Sequence, residues 1–168
     1  VFFYALGYRL GIDRIEQYGR LFGLGRVTGL DLPGEKPGLV PGRAWKRSRF
    51  AHAIDPTERR WYPGETLNVA IGQGYLLVTP LQMARVAAVF VNGGYLVTPH
   101  VGDRVTDAGG RTVTELRPAV PAEPIISADS VRIVRQGLRR AVEKDQFPTG
   151  TGHLAKIPEL VVIGKTGT

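Results

Sequence analysis

The sequence has 168 residues, about the size of one domain, and its 43% hydrophobic content is enough for a core. The 22 lysines and arginines outnumber the 15 acidic residues, and the resulting net charge of +7 favours anionic partners without choosing among nucleic acid, anionic lipid and cell-wall polymer. The absence of cysteine excludes disulfides, thiolate metal sites and cysteine nucleophiles within these residues. No apolar run reaches the roughly 18 residues of a membrane span, and the opening VFFYALGY lacks the flanks of a signal peptide, so we expect any anchor to lie outside this stretch.

The first 22 residues predict two short core helices. The apolar opening segment ends at Gly11, Asp13 can cap a second helix, and Gly23 can stop it. Residues 28–42 are rich in proline and glycine but also apolar, which predicts an ordered, irregular connection rather than a free linker.

A segment of alternating basic and aromatic residues follows, between positions 43 and 62. Its members are Arg43, Lys46, Arg47, Arg49, Arg59 and Arg60 with Trp45, Phe50, Trp61 and Tyr62. A groove for single-stranded nucleic acid has this composition, since rings stack on bases while cations follow phosphates. Long basic side chains lying over aromatic faces at a protein surface have it too, and that interpretation is favoured. His52 has no second histidine or carboxylate at a metal-binding spacing, so it is interpreted as a surface or capping histidine and not as a metal ligand.

The clearest predicted helix begins at TPLQMARVAAVFVNGG. Thr79 is a good N-cap, Pro80 suits the first helical position, and Gln82 completes a T-x-x-Q capping box. Gly93 and Gly94 provide a left-handed stop. Because only a narrow stripe of this helix is polar, we expect it to be enclosed within the domain.

The remaining elements are a hairpin, a helix and a strand. The hairpin is expected to turn at residues 108–110, and Ser127 is expected to cap a helix whose arginines form a solvated face. Val161 to Ile163 predict a short buried strand because β-branched residues suit a half-buried sheet.

A serine acyl transferase needs a nucleophile beside a base, and we find neither arranged so here. The three serines are Ser48, Ser127 and Ser130, and none has a lysine three residues later, where one helical turn would bring an amine to the hydroxyl. A helix cap explains Ser127 without chemistry.

Four short motifs stand in a fixed order along the chain. They are G-Q-G (Gly72 to Gly74), T-P-x-Q-M-A (Thr79 to Ala84), N-G-G (Asn92 to Gly94) and K-T-G (Lys165 to Gly167). The set resembles the transpeptidase domain of class B penicillin-binding proteins, the elongation type in particular. The segments VFFYALGYRLGIDR and GLGRVTGLDLPGE also resemble this family, just after its S-x-N motif, so the likeness covers essentially the whole chain.

The resemblance implies an α/β fold of the penicillin-binding protein transpeptidase (β-lactamase-like) type, a mostly antiparallel sheet with helices on both faces. Residues 1–168 are then expected to be part of a single transpeptidase domain, running from just after S-x-N to K-T-G and incomplete at both ends. In this family the serine of an S-x-x-K motif attacks a stem peptide to crosslink peptidoglycan. That serine and S-x-N are expected before Val1, so this stretch is expected to be inactive by itself.

The resemblance also implies roles for four residues. Lys165 is the K-T-G lysine, which holds the polarity of the S-x-N serine and attracts the terminal carboxylate of the substrate. Thr166 hydrogen-bonds that carboxylate or the carboxylate of a β-lactam, and Gly167 leaves room for the substrate to lie along the strand. Thr168 lends its backbone N–H to the oxyanion hole. G-Q-G and N-G-G are interpreted as a tight turn and a helix stop.

The implied partners follow from the family. They are peptidoglycan stem peptides, β-lactams, a glycosyltransferase and the elongation machinery, with no metal, no cofactor and no nucleic acid. A helix outside this stretch would anchor the protein to the cytoplasmic membrane, with the catalytic domain on the periplasmic or extracytoplasmic face. Two alternatives stay open: a D,D-carboxypeptidase or β-lactamase-like serine hydrolase, and a non-enzymatic cationic module that binds nucleic acid or wall polymer through residues 43–62.

Overall fold

The computed structural model describes residues 2–118, 121–143 and 150–165. In chain order the helices and strands are α1 (Phe2–Leu21), α2 (Arg43–Arg49), α3 (Pro63–Ala70), α4 (Pro80–Val91), β1 (Arg104–Thr106), β2 (Thr112–Glu115) and α5 (Ala128–Arg140). Two compact units account for the contacts, one formed by residues 1–86 with 98–120 and the other by residues 87–97 with 121–168. Over the described ranges, no helix combines the length and apolar character needed to cross a membrane.

Helix α1 confirms the prediction of two helical segments. Gly11 interrupts it with φ 73° and ψ 163°, a backbone conformation that is essentially restricted to glycine. The second segment ends at Gly23, whose φ is 79°, and the Leu24 amide donates to the Gly19 carbonyl at 3.0 Å. This is the left-handed termination expected when a glycine follows the last helical turn.

The core of the first unit lies where α1 meets α3. Ile12, Trp61 and Val69 are buried against one another, and Tyr75 packs beside them. The Trp61 indole N–H donates to Thr66 Oγ1 at 2.8 Å, so its one polar atom is satisfied inside the core. These residues therefore fix α1 against α3 without a buried unpaired donor.

The irregular connection after α1 is ordered, as predicted. Leu39 and Leu77 exchange backbone hydrogen bonds of 2.7 and 3.0 Å, which pairs the connection with the segment before α4. Glu35 accepts hydrogen bonds from the amides of Thr28 and Gly29, at 2.7 and 3.2 Å. In a helix or sheet, these backbone groups would form hydrogen bonds with other backbone groups. Here the Glu35 carboxylate and the Leu39–Leu77 bridge provide the hydrogen-bond partners instead.

Asp31 ties the same connection to the segment before β1. Its carboxylate accepts from the amides of Val101 and Gly102, at 2.8 and 2.7 Å. Hydrogen bonds from Gly102 and Val101 lower the pKa of the Asp31 carboxyl because they favour its charged form. The two segments are about 70 residues apart in sequence, so this contact is part of the tertiary fold.

The predicted hairpin is present. Strands β1 and β2 are antiparallel, with Arg104 opposite Glu115 and Val105 opposite Thr114, and the register shifts after Val105. Its side chains are exposed on both faces. Within the described residues, the sheet consists of these two strands.

The second unit is built on the end of α4 and on α5. Gly93 and Gly94 have φ of 90° and 102°, and the Gly94 amide donates to the Val89 carbonyl at 2.8 Å, so the predicted stop is confirmed. Ser127 caps α5 as predicted, accepting from the Ser130 amide at 3.2 Å. Buried apolar side chains form the core, namely Val89, Leu96, Val131 and Val142.

Helix α4 was expected to be enclosed within the domain, and the described residues enclose one of its faces. Met83 is 48% exposed and Val91 is 55% exposed, while Gln82 and Val89 are buried. The described residues cover the face of the helix that carries Gln82 and Val89, and they leave the opposite apolar face open.

Candidate active-site segment

Residues 150–165 lead from α5 to the K-T-G motif. Gly150 begins this segment in close contact with the end of α5, where any Cβ would collide with the carbonyls of Arg140 and Ala141. The Gly152 amide donates to the Ala141 carbonyl at 2.8 Å. A short 3-10 turn, His153–Ala155, then directs the chain onward. Glycine at position 150 is needed for this close approach, and the glycine-bearing loop was the only signal of it in the sequence.

The prediction of a buried strand at Val161 to Ile163 is wrong. The segment forms no strand in the described structure, and Val161 is 69% exposed. A strand needs a ladder of backbone hydrogen bonds, and the contact seen here is instead from the Gly164 amide to the Leu138 carbonyl of α5, at 3.1 Å. That bond holds the residue immediately before Lys165 against the helix.

Lys165 is the one residue of the predicted site that the structure describes, and its side chain is exposed. The other three predicted site residues, Thr166, Gly167 and Thr168, lie outside the described residues, so their roles stay predictions. An exposed ammonium at the end of an anchored segment can attract an anionic ligand without a large desolvation cost.

The three serines lie at a helix cap or on the surface of a helix. Ser127 caps α5, and its hydroxyl lies 3.0 Å from that of Ser130. Ser48 is exposed on α2. In the described structure, no group of three histidine or acidic side chains is arranged to hold a metal ion.

G-Q-G forms the tight turn that was predicted. Gly72 and Gly74 have φ of 81° and 72°, and the Gln73 amide donates to the Asn68 carbonyl at 2.9 Å. The turn closes the end of α3, so the motif has a structural role.

The T-P-x-Q motif does more than cap α4. The capping box is confirmed: the Thr79 amide donates to Gln82 Oε1 at 3.0 Å, and the Gln82 amide donates to Thr79 Oγ1 at 3.1 Å. The side-chain nitrogen of Gln82, Nε2, also donates to the backbone carbonyls of Arg26 and Pro37, each at 2.8 Å. Sequence analysis missed these partners. The available signal was glutamine instead of glutamate, since only the amide can donate at this position.

The basic and aromatic segment is largely engaged within the molecule. Lys46 is 4% exposed, forms an ion pair with Glu65, and places its Nζ 5.3 Å from the centroid of the Tyr62 ring. The same Nζ lies 5.9 Å from the centroids of Trp61 and Tyr75. These contacts favour the interpretation as cations over aromatic faces, and the alternative of a nucleic-acid groove receives no support from them.

Comparison with known proteins identifies the family. The family model described as "Penicillin binding protein transpeptidase domain" matches residues 1–168. The chain belongs to the penicillin-binding protein transpeptidase family. The predicted fold class is confirmed by this match and by the solved structures that the chain resembles.

Among curated relatives of this transpeptidase-family chain is the peptidoglycan D,D-transpeptidase MrdA of Salmonella typhimurium, with 38% identity over 90% of the chain and 23% of the relative. The chain therefore spans about a quarter of the length of the curated relatives it matches. Penicillin-binding protein PBP2 of Helicobacter pylori, solved in complex with MreC, matches with a TM-score of 0.73 and 26% identity, covering 95% of the chain and 26% of that structure. PBP3 of Mycobacterium tuberculosis, solved with aztreonam, matches with a TM-score of 0.71 and 33% identity, covering 93% of the chain and 31% of that structure.

Proposed function

We propose that this chain is the K-T-G-bearing part of a single serine-type peptidoglycan D,D-transpeptidase domain. The observation that carries the proposal is the end-to-end family match of a chain in which Lys165 is exposed directly after Gly164, at the K-T-G position. The Gly164 amide is bound to the Leu138 carbonyl of α5, which restrains the backbone beside the cation. A backbone held in place beside the cation limits the region that the Lys165 ammonium can reach, which favours orienting an anionic substrate end.

The proposed chemistry is acyl transfer through an ester on serine. The Oγ of an S-x-x-K serine outside these residues attacks the carbonyl of the penultimate D-alanine, the amide C–N bond breaks, and the terminal D-alanine leaves with a proton on its nitrogen. An amine of a second stem peptide then attacks the ester and restores the serine hydroxyl.

This chain would contribute substrate binding and electrostatics to both steps. Lys165 attracts the terminal carboxylate, and Thr166 donates a hydrogen bond to it. Gly167 lets the substrate backbone lie alongside, and the Thr168 N–H donates to the oxyanion of each tetrahedral intermediate. A β-lactam carboxylate would occupy the same position as the carboxylate of the peptide.

The proposed setting is the outer face of the cytoplasmic membrane, with an anchor outside these residues. The H. pylori structure pairs a PBP2 with MreC, which supports an assembly with the elongation machinery for this protein too. A glycosyltransferase is proposed as a further member of that assembly. Stem peptides and β-lactams are the proposed ligands, and the aztreonam complex of M. tuberculosis PBP3 supports the second of these.

Fluorescent penicillin tests the proposal on the intact protein that contains this chain. We expect covalent labelling that unlabelled β-lactam prevents, followed by formation of crosslinked peptide when the protein is given pentapeptide donor and an amine acceptor. Absence of labelling would remove the penicillin-binding assignment. Labelling with release of D-alanine but without crosslinked product would instead establish a carboxypeptidase.

A further inference from the structure

The N-G-G motif places an asparagine directly before a glycine, at Asn92 and Gly93. This dipeptide is chemically labile, because glycine has no side chain to hinder its backbone nitrogen from attacking the asparagine carboxamide. Asn92 follows Val91, the last residue of α4, so the dipeptide lies in the turn that ends this helix. The fate of the pair therefore depends on how this turn holds the carboxamide.

Two hydrogen bonds hold the Asn92 carboxamide on the backbone of Tyr95. Asn92 Nδ2 donates to the Tyr95 carbonyl at 2.8 Å, and the Tyr95 amide donates to Asn92 Oδ1 at 2.9 Å. Attack by the Gly93 nitrogen would make the planar carboxamide tetrahedral at Cγ and release Nδ2, and both bonds oppose this change. Residues 92–95 with these two bonds form a closed turn in which the labile pair is protected.

The closed turn also fixes the path of the chain within the second unit. Gly94 is buried, its amide donates to the Val89 carbonyl at 2.8 Å, and its carbonyl accepts from the Ile125 amide at 2.8 Å. A Cβ at Gly94 would lie only 2.9 Å from the carbonyl oxygen of Ile126. The turn thus packs closely against the segment before α5, and opening it would disturb that contact.

We propose that Asn92 is a deamidation site that stays protected while its carboxamide is bound to Tyr95. When the turn opens, the Gly93 backbone nitrogen gives up its proton and attacks Asn92 Cγ. The Cγ–Nδ2 bond breaks, and the side-chain nitrogen leaves as ammonia with that proton, which produces a cyclic succinimide. Water then adds to a carbonyl of the ring, which opens to aspartate or isoaspartate.

The product cannot restore the closed turn. A carboxylate has no donor for the Tyr95 carbonyl, so repulsion between two oxygens replaces the hydrogen bond from Nδ2. The new negative charge also lies at the C-terminal end of α4, where the helix dipole disfavours it. Deamidation therefore acts in one direction, and it loosens the contact between the turn and residues 125–126.

Peptide mapping by mass spectrometry tests the site on the intact protein, incubated at mildly alkaline pH. We expect Asn92 to convert on the order of 10- to 100-fold more slowly in the folded protein than in the same protein unfolded in urea, because two hydrogen bonds must first open. Asn68 is an internal control that should convert far more slowly in urea, since the β-branched side chain of Val69 hinders attack. Equal rates for Asn92 in the folded and unfolded protein would overturn the protection. Absence of conversion at Asn92 in urea would overturn the site.

Hydrogen exchange of the intact protein tests the consequence with Asn92→Asp, which supplies the product directly. We expect the amides of residues 93–95 to exchange on the order of 10-fold faster than in the unmodified protein, because the closed turn has lost one of its bonds. Asn68→Asp is the matched control: it places the same charge on an exposed side chain in the last turn of α3 and should leave exchange at residues 93–95 unchanged. Unchanged exchange at residues 93–95 in Asn92→Asp would contradict the claim that this turn distinguishes an amide from a carboxylate.

Discussion

At the scale of single residues, Gln82 connects three backbone segments from a position that is 1% exposed. It completes the cap of α4 and donates to the carbonyls of Arg26 and Pro37. We predict that Gln82→Leu lowers the free energy of unfolding by about 1–3 kcal/mol for each buried group that loses its partner. Chemical denaturation measures the change, with Gln17→Leu on the exposed face of α1 as the control. Equal stability of the two variants would show that water replaces the amide.

The Lys46–Glu65 pair is the second residue-scale test. Lys46 is buried beneath three aromatic rings, so removing one charge leaves the other without its partner. We predict that Lys46→Met destabilises the fold by roughly 3–5 kcal/mol and that adding Glu65→Gln recovers part of this loss.

A double-mutant cycle measures the coupling between the two residues. The exposed pair of Arg20 and Glu16, with N–O distance 2.9 Å, offers a matched control whose coupling should be only about 0.3–0.5 kcal/mol. Coupling of Lys46 with Glu65 that is no larger than this control would contradict the account.

At the scale of elements, the break in α1 depends on Gly11. Its backbone lies at φ 73° and ψ 163°, although a Cβ there would meet nothing within 4 Å. We predict that Gly11→Ala costs about 1–3 kcal/mol through backbone strain alone. Gly64→Ala in α3 is the matched control, since its Cβ would also meet nothing and its φ is ordinary, so it should be neutral or stabilising by about 0.4–1 kcal/mol. Thermal unfolding of the two variants decides the matter, and equal effects would argue against strain at Gly11.

The contact between the 28–42 connection and the segment before β1 should depend on pH. The folded-state pKa of Asp31 is lowered from its ordinary value of 3.8, so its stabilising contribution is present above that value and is lost as pH falls through the folded pKa. We predict that the stability gap between the unmodified protein and Asp31→Asn narrows as pH is lowered below about 4. Unfolding midpoints measured across this range test the sign, and a gap that widens toward low pH would contradict it.

Local signals in the sequence predicted the ends of helices well. They did not predict contacts that depend on residues far apart in the sequence. Thr79, Gln82, Gly94 and Ser127 act as caps or stops as expected, because capping is decided within four residues of the chain. The hydrogen bonds from the Gln82 side chain to the Arg26 carbonyl and from the Val101 amide to the Asp31 carboxylate could not be predicted, since nothing local indicates which distant groups a folded chain will bring near.

At the scale of the whole molecule, the ordered set of motifs predicted the family, and the family match over residues 1–168 confirms it. The strand at Val161 to Ile163 was predicted wrongly because composition reports only that a segment suits a sheet. Its pairing depends on neighbouring strands that β-branched residues cannot specify. Of the candidate site, the structure describes Lys165, which follows the Gly164 contact with α5.

The most direct test of the account is the rate at which a fluorescent penicillin acylates the intact protein when Lys165 is replaced by alanine. Loss of one charge-assisted contact to the carboxylate should slow acylation on the order of 10- to 100-fold. Lys36→Ala, which removes an exposed cation from the other unit, should leave the rate unchanged. Acylation of the Lys165→Ala protein at the unmodified rate would contradict the claim that this lysine holds the anionic end of the substrate.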